Sequence, residues 1–161
     1  NSTGKTFSVT GWKIGYVTGS ADLQSALRTT HQFNVFATAT PLQQGVAVAL
    51  ETAARVGYYD QLKADYQVRR DRLMAILGDA GLPPLPVQGS YFIMSDISGL
   101  GFANDVEFCR HLVTEVGVAA IPPSAFYLDP AGAPLLARFC FAKQEATMEA
   151  AAERLQQLHS R

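Results

Sequence analysis

Ser2-Thr3-Gly4-Lys5-Thr6-Phe7-Ser8-Val9-Thr10-Gly11-Trp12-Lys13-Ile14-Gly15-Tyr16, at the amino-terminal end of a 161-residue chain, gathers hydroxyls, glycines and two lysines into one short run. Its opening, Gly4-Lys5-Thr6, matches the tail of a phosphate-binding P-loop, in which main-chain amides at a helix start cradle an anion. Two features oppose that reading. The first glycine of such a loop would fall before residue 1. The β-branched and aromatic residues from Thr6 to Thr18, broken by Gly11 and Gly15, predict strand and loop where a P-loop needs a helix. Lys5 and Lys13 are also each compatible with an ordinary solvated surface lysine.

Working outward, the composition narrows the function classes. Apolar residues make up 48% of the 161 residues, ample for a packed core. Thirteen basic and 14 acidic side chains leave a net charge of -1, which removes the electrostatic case for a nucleic-acid or anionic-membrane partner. Charged residues are only 17%, against about 25% in an ordinary soluble domain, so part of the surface is expected to be covered by a partner or by further chain. The longest run without Asp, Glu, Lys or Arg, Thr29 to Leu50, contains Gln32, Asn34, Pro41, Gln43 and Gln44 and is too polar to span a bilayer. Two cysteines, Cys109 and Cys140, make no disulfide framework, and a cytoplasmic location is expected. His31, His111 and His159 show no metal-ligand spacing, alone or with the cysteines, so no metal site is expected. The chain opens at Asn1 inside what reads as a motif and is expected to be a piece of a longer protein.

The remaining pattern is helix-rich at first, then mixed. Ser20 is placed to cap a helix whose buried stripe is Leu23, Ala26, Leu27 and Thr30. Thr40 with Pro41 and Gln43 reads as a capping box opening a helix that is apolar nearly all round and so belongs deep inside. Tyr58 to Ala80 reads as a long amphipathic helix with Leu62, Tyr66, Leu73 and Leu77 on one side and Gly81 at its end. Leu82-Pro83-Pro84-Leu85-Pro86 cannot continue it and marks a boundary. A strand around Ser90 to Ile97, a helix from Asn104 with Glu107 three residues on, and a strand around Val118 to Ile121 follow. A proline-containing loop, a strand from Leu136 to Ala142 and a helix with Met148, Ala151, Leu155 and Leu158 on one face complete an α+β order.

Arg138 stands out within the predicted strand. Alternation puts it on the face of Leu136 and Cys140, with Phe139 and Phe141 opposite, and both faces look dry. A guanidinium there must meet an anion, since an unpaired buried charge costs several kcal/mol. A structural ion pair, with Asp96 as the nearest candidate, is one answer, and an anionic ligand is the other.

Taken whole, Ser2 to Tyr16 closely resembles the cofactor-lysine segment of fold-type I (class I/II) aminotransferases that use pyridoxal 5'-phosphate, most of all the kynurenine and methionine aminotransferase group. Gln88-Gly89-Ser90-Tyr91-Phe92, Ile121-Pro122-Pro123-Ser124-Ala125-Phe126 and Arg138-Phe139-Cys140-Phe141 resemble further segments of the family in the same order, and the resemblance covers the C-terminal part of such an enzyme. It implies an α/β and α+β architecture. Residues 1–57 would be the remnant of the cofactor-binding large domain, 58–82 an interdomain helix, and 83–161 the small C-terminal domain.

The resemblance also implies roles. Lys5 would form the Schiff base with the cofactor and then shuttle a proton, which needs a primary amine that is partly neutral near pH 7. Ser2 and Lys13 would hold the cofactor phosphate; the family often has arginine at the latter position, and lysine supplies a point charge without the two-pronged fork. Arg138 would bind the substrate α-carboxylate through two parallel hydrogen bonds, selecting which α-carbon bond reacts. Phe36 resembles the aromatic that reaches the neighbouring subunit's pocket in a homodimer, although the residue pattern by itself favours a core phenylalanine. The loop Pro122 to Phe126 resembles the one lining the substrate side, or is simply a rigid turn.

The expected activity is amino-group transfer from an amino acid to a 2-oxo acid by the full-length protein. These 161 residues alone are expected to be inactive, because the remaining cofactor contacts of the family lie upstream. A carbon-sulfur lyase on the same fold and a non-catalytic α+β interaction module are the alternatives.

Overall fold

The computed structural model describes residues 1–160, with side chains through residue 158; His159 lies outside the described side chains. The chain divides into two compact units, Asn1–Gln61 and Leu62–Arg161.

The first unit begins with a single helical turn, α1 (Thr3–Thr6), capped by Ser2, whose Oγ accepts the Gly4 N–H at 3.3 Å. Of the strand and loop expected over Thr6 to Thr18, the loop forms and no strand does. Ser8 and Lys13 adopt φ of 56° and 55°, either side of a 3₁₀ turn at Thr10–Trp12, and these left-handed residues turn the chain before a ladder can propagate. Extended pairing is limited to one antiparallel bridge, Ser2 with Gly15. A Cβ on Gly15 would lie 2.7 Å from the Asn1 carbonyl oxygen, so the close approach of the two segments requires glycine there.

Ser20 caps α2 (Ala21–Asn34) as expected, accepting the Leu23 N–H at 3.5 Å. The predicted stripe on that helix is not covered: α2 contains no buried residue, and Leu23 is 61% exposed. In α3 (Thr40–Arg55) the cap residue is Ala39, so Thr40 is already helical and the expected capping box does not form. Gln43 instead donates from Nε2 to the Thr38 carbonyl at 2.8 Å. The helix buries only Val46 and Ala53 and leaves Val48 and Leu50 exposed, contrary to the expectation of a deep position. Periodicity records which face a helix is suited to bury; it does not supply the matter that covers it.

The second unit holds the main core. The long helix α4 (Tyr58–Asp79) crosses into it and ends in a Schellman closure. Gly81, at φ 69°, bonds the Gly78 carbonyl at 3.1 Å and Leu82 bonds that of Leu77 at 2.9 Å. Leu77 and Leu82 are both fully buried, and they pack in one cluster with Ile93, Phe108, Leu112 and Phe139. Strands β1 (Phe92–Asp96) and β2 (Leu136–Cys140) form an antiparallel pair with Met94 opposite Arg138. β1 starts later than expected because Ser90, at φ 69°, bends the chain.

The strand expected at Val118 to Ile121 reduces to one bridge, Ile121 with Arg138, since Pro122 and Pro123 have no N–H to extend a ladder. Asn104 caps α5 (Asp105–His111), with Oδ1 accepting the Glu107 N–H at 2.8 Å. α5 runs on into a π-helical turn at Leu112–Val116 that stops at Gly117. α6 (Glu145–Leu155) follows β2, with Met148 and Leu155 buried.

Arg72 clips α4 to α6 through a two-pronged bond, Nε to Glu149 Oε1 at 2.8 Å and Nη2 to Oε2 at 2.6 Å. Hydrogen bonding from Arg72, then its charge, hold the Glu149 carboxyl below the ordinary range. A lowered folded-state pKa means stability that is present above the unfolded value, about 4.3, and lost as the pH falls through the lower folded value. Glu149→Gln is therefore expected to flatten the acid side of a plot of urea midpoint against pH, measured from about pH 6 down to about pH 3. An unchanged acid limb would show that the pair contributes nothing.

Candidate active site

Two groups of side chains carry chemistry, one in each unit. In the first, the loop from Ser2 to Gly15 carries all three residues singled out for a cofactor. Thr3 fastens it with two bonds to the Ile14 carbonyl, the N–H at 3.1 Å and the hydroxyl at 2.7 Å. Tyr16 N–H adds a bond to the Asn1 carbonyl at 2.9 Å. Outside the loop, the Tyr58 hydroxyl donates to the Thr6 carbonyl at 2.6 Å and its ring stacks on Phe7 at 5.6 Å between centroids. Ser2 Oγ accepts from Gly4 N–H, so its own O–H points elsewhere. Lys5 lies in the last turn of α1 and Lys13 follows the 3₁₀ turn; both are exposed. A hydroxyl donor and an ammonium suit an oxyanion such as phosphate, and a primary amine on the same loop suits a reactive carbonyl.

Phe36 also lies in the first unit, three residues after Phe33, and is 80% exposed, so it is not the core phenylalanine that the residue pattern favours. Its φ of 70° is unusual for a bulky side chain and costs of order 1–2 kcal/mol. Strain of this kind clusters where function holds a side chain in place.

In the second unit, alternation along β2 is as expected: Ala137 and Phe139 are buried, while Leu136, Arg138 and Cys140 lie on a half-buried face. That face is therefore not dry. Arg138 is held by its main chain, with N–H and C=O each bonded to Ile121 at 3.0 Å. Its guanidinium carbon lies 4.9 Å from the centroid of the Phe92 ring and 5.3 Å from that of Phe126. The suggested ion pair with Asp96 does not form. Asp96 Oδ1 accepts the Ser98 N–H at 2.8 Å, and hydrogen bonding from Ser98 lowers the Asp96 pKa. Among the described residues the Arg138 guanidinium has no carboxylate partner. Two aromatic faces stabilise the cation without consuming its N–H donors in their plane, so the group is prepared for a flat anion.

Sequence reading missed Asp105. Its carboxylate is buried, 2% exposed, and takes two bonds from Ser124, from N–H to Oδ2 and from the hydroxyl to Oδ1, each at 2.7 Å. The partners are nineteen residues apart, and no local spacing signals the pair. Burial, then the nearby Asp105, push the Cys109 thiol up to about 11, so Cys109 is not a nucleophile at neutral pH. A cavity of about 530 Å³ is walled by Val118, Phe139, Met148 and Leu155 and includes neither Arg138 nor Phe126; charge rather than volume locates the site. Among the described residues, no group of three or more His, Cys, Asp or Glu could hold a metal ion, and no helix is long and apolar enough to cross a membrane.

Comparison with known proteins adds a family match. The sequence profile described as "Aminotransferase class I and II" matches residues 1–155. Methionine aminotransferase of Escherichia coli (strain K12) is 44% identical over 158 residues, 98% of this chain and 40% of that protein. Kynurenine–oxoglutarate transaminase of Dictyostelium discoideum is 40% identical over 178 residues, again 98% of this chain and 40% of the relative. Among solved structures, N-succinyldiaminopimelate aminotransferase from Mycobacterium tuberculosis superposes with a TM-score of 0.85 at 38% identity, covering 98% of this chain and 40% of its own. The chain thus spans about two fifths of the length of the curated relatives it matches.

Proposed function

Because this chain belongs to the class I and II aminotransferases, we propose that the full-length protein carrying it transfers an amino group from an amino acid to a 2-oxo acid with pyridoxal 5'-phosphate as cofactor. Residues 1–57 are read as the end of the cofactor-binding domain, 58–82 as a linking helix and 83–161 as the small domain, in a cytoplasmic homodimer. The observation that carries the reading is Arg138, a guanidinium over two aromatic rings with its ion-pair candidate engaged elsewhere. A carboxylate of a small ligand meets that need, and every amino acid and 2-oxo acid brings one.

The donor set on the Ser2–Gly15 loop fits the cofactor: Ser2 O–H and the Lys13 ammonium for its phosphate, the Lys5 amine for its aldehyde. When bound, pyridoxal phosphate supplies an aldehyde that condenses with amines and a ring that draws electron density from the substrate α-carbon. Lys5 Nζ takes the α-carbon proton as general base and gives it back as general acid. Arg138 grips the carboxylate in a plane and so fixes which α-carbon bond is broken. Phe36 lines the substrate pocket of the homodimer.

The test is to supply the full-length protein with an α-amino acid, such as methionine or kynurenine, and a 2-oxo acid acceptor. Formation of the acceptor's amino acid, in proportion to the 2-oxo acid made from the donor, is expected. Continuous release of a 2-oxo acid, well beyond one equivalent per active site, without any acceptor would mean elimination instead.

A further inference from the structure

We propose that Asp105 is a positioning residue for Arg138, holding the segment Ile121 to Phe126 that grips the arginine from two sides. This deepens the carboxylate-anchor reading above and rests on it. Ile121 exchanges both of its main-chain bonds with Arg138, each at 3.0 Å. Phe126 lies five residues further on, and its ring centroid is 5.3 Å from the guanidinium carbon. Between these two contacts stand Pro122 and Pro123, which have no N–H to offer. Ser124 is the next residue able to donate, and it gives both its N–H and its hydroxyl to Asp105.

The pin is well placed to transmit position. Asp105 is 2% exposed and Ser124 6%, so neither bond is exchanged readily with water. Asp105 opens α5, directly after the cap Asn104, on a helix whose Phe108 is fully buried in the core. The carboxylate is therefore anchored to the rigid part of the unit. Through Ser124 it sets the distance of the Phe126 ring, two residues on, from the plane of the guanidinium. Without it the proline-bearing segment keeps its Ile121 end and loses its Phe126 end.

Steady-state kinetics of the full-length protein separate this role from simple folding support. Asp105→Ala is expected to raise KM for both the amino acid and the 2-oxo acid about tenfold with kcat within about twofold, the pattern of lost carboxylate binding. Asp105→Asn is expected to restore most of the loss, since its amide oxygen can accept the Ser124 N–H and its NH₂ can donate to the hydroxyl. Ser124→Ala keeps the N–H bond and loses the hydroxyl bond, and a KM rise of about threefold is expected. In an Arg138→Ala background, Asp105→Ala should add less than about twofold, because the route of its effect is gone.

An Arg138→Ala enzyme with raised KM beside an Asp105→Ala enzyme with normal KM would overturn the positioning role and leave the anchor standing. Normal KM in Arg138→Ala would overturn the anchor and this proposal with it. Full multiplicative loss in the double variant would also overturn the proposal. Should Asp105→Ala fail to fold, Ser124→Ala decides, and an unchanged KM there counts against the pin.

Discussion

Lys5→Ala in the full-length protein is expected to lower turnover by roughly four orders of magnitude, because one side chain serves both as the attachment point for the cofactor and as the proton carrier. Neither task can be taken over by Lys13. That residue follows the 3₁₀ turn, and in the proposed reading its ammonium is committed to the cofactor phosphate. The protein should also lose the yellow colour that survives dialysis. Borohydride reduction followed by peptide mapping checks the assignment directly, with the label expected in the peptide that contains Lys5. A label recovered on any other lysine, or retained colour and turnover in the variant, would exclude Lys5 from both tasks.

Arg138→Ala is expected to weaken binding of every α-carboxylate ligand by roughly 2–5 kcal/mol, some thirtyfold to several thousandfold in Kd. The loss should be similar for the amino acid, the 2-oxo acid and a non-reactive carboxylate such as a simple aliphatic acid, since all present the same group. Amines lacking a carboxylate should bind the variant and the parent alike. That comparison guards against general damage to the fold, which would weaken all ligands together. Equal affinity of parent and variant for carboxylates would make Arg138 a structural residue. Arg138→Lys is a poor substitute in this setting, because an ammonium has no planar fork to present to a carboxylate while resting on the Phe92 and Phe126 rings.

Local chemistry was well legible in the sequence. Ser20 and Asn104 each open a helix and Gly81 closes one where their side chain or lack of one dictates, and the alternation in β2 correctly separated Arg138 from the buried Phe139. Three kinds of information were not legible. Burial of α2 and α3 depends on what lies against them, and an apolar stripe cannot name it. The segment after Thr6 has the residue types of a strand, yet left-handed backbone at Ser8 and Lys13 breaks it, a property that β-propensity does not report. The Asp105–Ser124 pair joins residues far apart in sequence, and Asp105 looked like an ordinary acid in the first turn of a capped helix. The candidate roles of Ser2, Lys5 and Lys13 rested on the resemblance of Ser2 to Tyr16 to a family segment, whereas the two rings beside Arg138 are visible only in the fold.

The flanking of Arg138 bears on how tightly and how long a ligand is held. A free arginine side chain surrenders up to about 2 kcal/mol of rotamer entropy when it is immobilised. Here the main chain is fastened to Ile121 on one edge and paired with Met94 across the other, and two rings confine the guanidinium, so most of that loss is incurred when the protein folds. An arriving anion then meets a group already immobilised, and its residence time, more than its rate of capture, records how well it matches the fork.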